Sequence, residues 1–144
     1  MTPTEIDQSI VKSFQKYAIA EIVLLFAQFQ MGIVTNLFIT PLMSLTAPWT
    51  VFLQSASTEF AIHILNGIAI FGVAIALLIT FRHLRRSIPW KLVVIALIFT
   101  GVAVAAGFVF FLLGQNDTFS IIMAMCYISI YTLYFAAIYL IKKK

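Results

Sequence analysis

Polar residues inside the apolar stretches of this chain fall on two helical stripes, where chemistry could occur. The stripe of the first stretch consists of Glu21, Gln28, Gly32 and Asn36. The stripe of the second stretch consists of Glu59, His63, Asn66 and Gly67. Residues three, four or seven positions apart share one face of an α-helix, so each stripe predicts an inward-facing polar surface.

His63 admits three roles in such a surface. As a structural residue it would hydrogen-bond to Asn36, Gln30 or Glu59. As a ligand of haem b iron it would use one ring nitrogen, with Glu59 holding the other nitrogen. The second ligand would be Met123, Met125, Met43 or a histidine of a second copy, or there would be none. His63 could also handle protons or a quinone. The residues of this candidate cofactor niche are His63, Met123, Asn36, Asn66 and Glu59.

A second candidate site lies within the first apolar stretch. Glu21, Gln28 and Gln30 are the groups that a proton or cation path would use there, although three such groups do not make a pore. The chain has no phosphate-binding glycine loop, no catalytic triad and no zinc-ligand spacing. The sequence therefore does not indicate a hydrolase, a kinase or a metalloprotease, and enzymatic activity is not the expectation.

Composition decides which elements must position these residues. The 144 residues are 62% hydrophobic and 10% charged, far from the roughly 25% charged of soluble domains. Four stretches are long enough to cross a hydrocarbon core of about 30 Å as helices, and they cover residues 17–40, 58–81, 92–113 and 119–141. We therefore predict an all-α membrane protein in which residues 1–144 form a single domain, a bundle of four transmembrane helices.

The nine lysines and arginines predict the orientation of this bundle. They fall before the first span, between spans two and three, and at the C-terminus, while the two opposite connections have none. Since basic residues concentrate on the cytoplasmic side, both termini are predicted to be cytoplasmic. We therefore expect the basic residues behind the net charge of +4 to face anionic lipid headgroups rather than nucleic acid.

Two segments outside the spans carry further expectations. Residues 1–16 have apolar side chains at helical spacing (Ile6, Ile10 and Phe14) and predict a short amphipathic helix lying on the membrane. The connection 41–57 contains Pro41, Pro48 and Trp49, and we expect it to cover the outer end of the bundle.

The segment Glu59-Phe60-Ala61-Ile62-His63 resembles one half of a haem A synthase. In that family a four-helix unit has an acid shortly before a haem-ligating or catalytic histidine at the start of its second span. The resemblance implies haem contact through His63. The chain departs from the family pattern in a longer acid-to-histidine spacing and in the absence of a histidine from the fourth span.

Three hypotheses of function follow. The first is a small accessory subunit of a larger membrane complex, for example a respiratory one, with other membrane subunits or further copies of the chain as partners. The second is an electron-transfer protein that binds haem b or a quinone at His63. The third is a small transporter or proton path that uses Glu21, Gln28 and Gln30.

Overall fold

Four long helices make up nearly all of the described part of the chain. The computed structural model describes residues 8–38, 58–112 and 117–142. The helices are α1 (Gln8–Phe38), α2 (Thr58–Thr80), α3 (Ile88–Leu112) and α4 (Asp117–Lys142), with a 3₁₀ turn at Arg82–Leu84. Each of the four contains a stretch long and apolar enough to cross a membrane. The predicted multi-pass helical membrane protein is confirmed at this level.

The helices form a closed ring in which each one packs on two neighbours. Helix α1 packs on α2 and α4, and α3 packs on the same two helices, so α1 and α3 lie on one diagonal and α2 and α4 on the other. The closest packing joins α3 to α4. The core inside the ring is apolar and includes Leu25, Leu77, Val93, Ile130 and Ala137.

The outer surface of the ring carries many large apolar side chains. Val23, Leu65, Ile98 and Ile128, one from each helix, are between 58% and 64% exposed. In water such side chains would be strongly unfavourable, whereas lipid tails solvate them without cost. The exposed apolar surface on all four helices is what a membrane-spanning bundle requires.

The predicted short N-terminal helix is not a separate element. Helix α1 runs without a break from Gln8 to Phe38, which is about 46 Å at 1.5 Å per residue. Phe14 is fully buried and meets the ring of Phe81 edge-on, with 5.4 Å between ring centroids. The expectation that this segment lies on the membrane is wrong for residues 8–16, because Phe14 packs against the end of α2 instead.

One end of the ring carries the described basic residues, and we call it the basic end. They are all exposed and comprise Lys12, Lys16, Arg82, Arg85, Arg86, Lys91 and Lys142. The turn between α2 and α3 lies here, and the Ser87 hydroxyl accepts a hydrogen bond from the Trp90 amide at 3.4 Å, as a helix N-cap does. The Trp90 indole N–H donates to the Leu78 carbonyl at 3.4 Å. The first bond caps the start of α3, and the second joins α3 to α2.

Candidate functional site

A carboxyl group lies inside the bundle near the basic end. Glu21 on α1 and Tyr134 on α4 are both fully buried, and the Tyr134 hydroxyl donates a hydrogen bond to Glu21 Oε1 at 3.4 Å. The second oxygen, Glu21 Oε2, is buried and has no hydrogen-bond partner among the described residues. Glu21 Oε2 is therefore available to a further hydrogen-bond donor, such as water, or to a cation.

Positive charge is separated from Glu21. Every described lysine and arginine is exposed, whereas Glu21 has no exposed surface. Burying an ionised carboxylate without a cation or a full set of donors is costly, so buried acids in membrane proteins generally mark functional sites. The Tyr134 hydroxyl supplies one hydrogen bond to the Glu21 carboxyl group, which can accept several.

A second polar group, which we call the amide cluster, joins α1 to α2 farther from the basic end. It consists of Gln28, Asn66 and His63. The Asn66 amide nitrogen donates at 2.9 Å to the Leu24 carbonyl and at 2.9 Å to Gln28 Oε1. The amide nitrogen of Gln28 lies 3.2 Å from His63 Nε2. All three side chains are partly buried between the two helices.

The bonds of the cluster determine which nitrogen of His63 carries hydrogen. Since Gln28 Oε1 accepts from Asn66, the Gln28 nitrogen is the donor towards the histidine. His63 Nε2 must then accept, which places the hydrogen on Nδ1. Nδ1 is buried and has no partner among the described residues. The cluster ends in a buried N–H donor.

This geometry does not favour haem ligation by His63. An imidazole binds iron through a nitrogen lone pair, and the lone pair of Nε2 is engaged by Gln28. Met123 lies on α4, on the opposite corner of the ring from α2, and its sulfur would be 3.2 Å from a Cβ placed on Gly107 of α3. The Met123 sulfur thus lies beside Gly107 of α3, whereas His63 lies beside Gln28 and Gly32 of α1.

Two glycines line the contact between α1 and α2 at the amide cluster. A Cβ on Gly67 would lie 3.4 Å from the Gln28 amide nitrogen, and one on Gly32 would lie 3.6 Å from His63 Cε1. Small residues at a membrane helix interface let polar side chains of the facing helix bond across it. Both distances are ordinary van der Waals contacts, so Gly32 and Gly67 lie against the His63 and Gln28 side chains but an alanine would also fit at either position.

An apolar layer separates the two polar groups. Glu21 and Gln28 are seven residues apart, about 10.5 Å along α1. Leu25 lies between them and is 4% exposed, and Ile70, one turn from Asn66 towards the basic end, is 2% exposed. The bundle interior therefore holds a carboxyl group on one side of an apolar layer and a histidine on the other.

Some residues singled out in the sequence lie elsewhere. Gln30 is on the exposed face of α1, away from the stripe of Glu21 and Gln28. Asn36 and Glu59 belong to helices α1 and α2, but their side chains lie outside the described residues, as does the connection 41–57.

Sequence reasoning missed Tyr134 as the partner of Glu21. Four tyrosines on the last span made the choice ambiguous. Glu21 follows Lys16 by five residues, whereas Tyr139 and Tyr134 precede Lys142 by three and by eight. Depth from the flanking lysines therefore does not select Tyr134, and its choice depends on which face of α4 is buried.

Comparisons with known proteins do not indicate a function for this chain. Neither the family models, nor the curated proteins, nor the solved structures contain a match to this chain. Within the described residues, no group of three or more His, Cys, Asp or Glu side chains could hold a metal ion. The Glu21–Tyr134 pair and the amide cluster are the features from which a function can be argued.

Proposed function

We propose that this chain is a small multi-pass membrane protein that conducts protons through the interior of its bundle, with Glu21 as the group that binds and releases them. One observation carries the proposal: Glu21 is fully buried inside the bundle, has no cation beside it among the described residues, and leaves Oε2 without a partner. A structural carboxyl group would be expected to have its oxygens satisfied.

The amide cluster supplies the second half of the path. His63 has one nitrogen that accepts from Gln28 and a second that offers an N–H without a described acceptor. Proton transfer through this imidazole would require Gln28 to release Nε2, which could then take a proton while Nδ1 gives one up. In the proposed sequence Glu21 exchanges a proton with water on its side of the apolar layer, and His63 does so on the other.

Leu25 and Ile70 would act as the barrier of this path. A layer of buried apolar side chains excludes water in the resting bundle, so conduction would require water to cross about 10.5 Å between Glu21 and Gln28. The expected transport is therefore slow and gated rather than channel-like.

The test is proton flux in liposomes. Purified protein is reconstituted with a pH-sensitive dye inside, in sodium-free buffer, and a potassium diffusion potential set with valinomycin drives protons inward. Wild-type protein should acidify the interior faster than empty liposomes, and Glu21→Gln should abolish the difference. Asp117→Asn is the matched control, because Asp117 is an exposed carboxyl group at the opposite end of the bundle.

The outcomes separate clearly. Wild-type flux no faster than that of empty liposomes would refute proton conduction by the chain. Flux that survives in Glu21→Gln would show that conduction does not pass through Glu21. Flux that requires Glu21 but depends on added sodium would reassign the carboxyl group to a cation site.

A second candidate function, an accessory subunit of a larger membrane complex, is favoured by the exposed amide of Gln30. A polar side chain on the lipid-facing surface is more often covered by another helix than left in hydrocarbon. Mild-detergent extraction from the native membrane, followed by identification of co-purifying proteins, tests this alternative. Recovery of a stoichiometric set of respiratory or other membrane subunits would support it, and recovery of this chain alone would contradict it.

A further inference from the structure

One face of α1 points away from the bundle and has the spacing of a helix–helix seam. Ala20, Val23, Ala27 and Gln30 are all exposed and follow one another at offsets of three, four and three. This is the alternation of a left-handed coiled pair, in which the two contact positions repeat every seven residues. We call these four residues the α1 seam.

Gln30 is the unusual member of the seam because of its depth. It lies 14 residues beyond Lys16, about 21 Å along the helix, within a hydrocarbon core of about 30 Å. Its amide makes no hydrogen bond to any residue that the structure describes. In lipid, an amide on the outer surface has neither water nor a lipid tail as a partner.

We propose that the α1 seam binds the α1 seam of a second copy of this chain, and that two Gln30 side chains hydrogen-bond to one another across the interface. The proposal concerns the outer surface of α1 and is independent of proton conduction through the interior.

The chemistry of the amide argues for a second copy as the occupant. Its oxygen accepts and its nitrogen donates, so two glutamines related by a twofold axis can satisfy one another reciprocally. All copies insert with the same orientation, so a twofold axis along the membrane normal brings each seam residue opposite its own counterpart. An apolar helix would leave the amide unpaired, and a lysine or a carboxylate would satisfy only one half of it.

The other seam residues fit the same arrangement. Ala20 and Ala27 are small and seven residues apart, which allows two α1 helices to approach closely. A single polar residue in such a seam also fixes the register and the number of helices. Gln30 would thus set both the alignment of the two copies and the limit of two.

Disulfide cross-linking in membranes tests the interface. In a Cys126→Ala background, single cysteines replace Ala27 or Val23 of the seam, and a control cysteine replaces Ile98, which is 61% exposed on α3. Under a mild oxidant, the two seam cysteines should give covalent dimers and the Ile98 position should not. Equal dimer yields at all three positions would indicate random collision and overturn the proposal.

The role of Gln30 is tested by energy transfer between labelled copies as they are diluted with lipid. Gln30→Leu should lower the association constant by about tenfold, and Gln30→Asn should retain part of it. Circular dichroism of both variants checks that the bundle is intact. Association of Gln30→Leu equal to that of the wild type would refute pairing through Gln30. A wild-type chain that stays monomeric, and whose Gln30→Leu variant instead loses a complex with a different protein, would also refute it.

Discussion

Tyr134 and Glu21 are 113 residues apart in the chain, yet the hydroxyl of one reaches the carboxyl group of the other inside the bundle. The bond connects the last helix to the first and so closes the ring through a polar contact. Among the described residues, other hydrogen bonds between helices are those of the amide cluster, which join α1 to α2, and the bond from the Trp90 indole to the Leu78 carbonyl, which joins α3 to α2. Helix α1 takes part in two of these three contacts, while α3 and α4 are held to one another by close packing.

Removing the tyrosine hydroxyl should measure what this bond contributes. Tyr134→Phe is expected to lower the free energy of unfolding by about 0.6–2 kcal/mol, the range of hydrogen bonds between membrane helices. Unfolding in bicelles by steric trapping provides the measurement. Tyr131→Phe is the control, since the Tyr131 ring contacts Tyr127 and Phe135 and its hydroxyl makes no bond that the structure describes. Equal losses in both variants would assign no special role to the Glu21 contact.

Replacing Gln28 and replacing Gln30, two positions apart, should affect the free energy of unfolding differently. Gln28→Leu removes the bonds to His63 and Asn66. His63 Nε2 then loses its described donor, while Asn66 keeps its bond to the Leu24 carbonyl, and the free energy of unfolding should fall by about 1–3 kcal/mol. Gln30→Leu replaces an exposed amide with a lipid-compatible side chain and should not destabilise the monomer. Steric trapping at high dilution in bicelles compares the two. A larger loss for Gln30→Leu than for Gln28→Leu would contradict the assignment of faces on α1.

The contact between Phe14 and Phe81 distinguishes a packed helix start from one that lies on the membrane. A double-mutant cycle with Phe14→Leu and Phe81→Leu should give a coupling energy of about 0.5–1.5 kcal/mol, as edge-on aromatic pairs do. Phe135 is 50% exposed on α4, so a cycle of Phe14→Leu with Phe135→Leu should give none. Absence of coupling in the first cycle would return residues 8–16 to the membrane surface.

The orientation of the bundle is predicted from charge and can be tested with two cysteines. In a Cys126→Ala background, Arg85→Cys at the basic end should react with an impermeant maleimide only after the cells are lysed. Asp117→Cys, exposed at the other end, should react in intact cells. This follows from the cytoplasmic preference of basic residues. The reverse pattern would invert the predicted topology.

The helices could be predicted from the sequence because one property determines them. Long apolar stretches have to satisfy their backbone bonds internally in lipid, and the helix bounds found for α2 and α4 lie within two residues of those expected. The start of α1 was predicted less well. The apolar side chains of Ile6, Ile10 and Phe14 at helical spacing suggested a surface helix, whereas the packing of Phe14 on Phe81 is a tertiary contact with no local signal.

The stripes were easier to predict than their pairings. Spacing placed Glu21 and Gln28 on one face, but it could not say which helix each would meet. The partner of His63 was expected among Asn36, Gln30 and Glu59, and the bond observed is to Gln28. The choice depends on the rotation of α1 about its axis, which is set by the packing of residues such as Phe14 and Leu25 rather than by the polar stripe itself.

The order in which the ring closes has a consequence for how the protein is made. During synthesis α1 leaves the ribosome before the other three helices. Gln28 therefore has no hydrogen-bond partner until α2 emerges, and Glu21 has none until Tyr134 of α4 emerges. Until then both side chains are polar groups on a lone helix, for which hydrocarbon is a poor solvent. We therefore expect α1 to stay beside the insertion machinery until α4 arrives, and a nascent chain that ends before Tyr134 to be a target for membrane quality control.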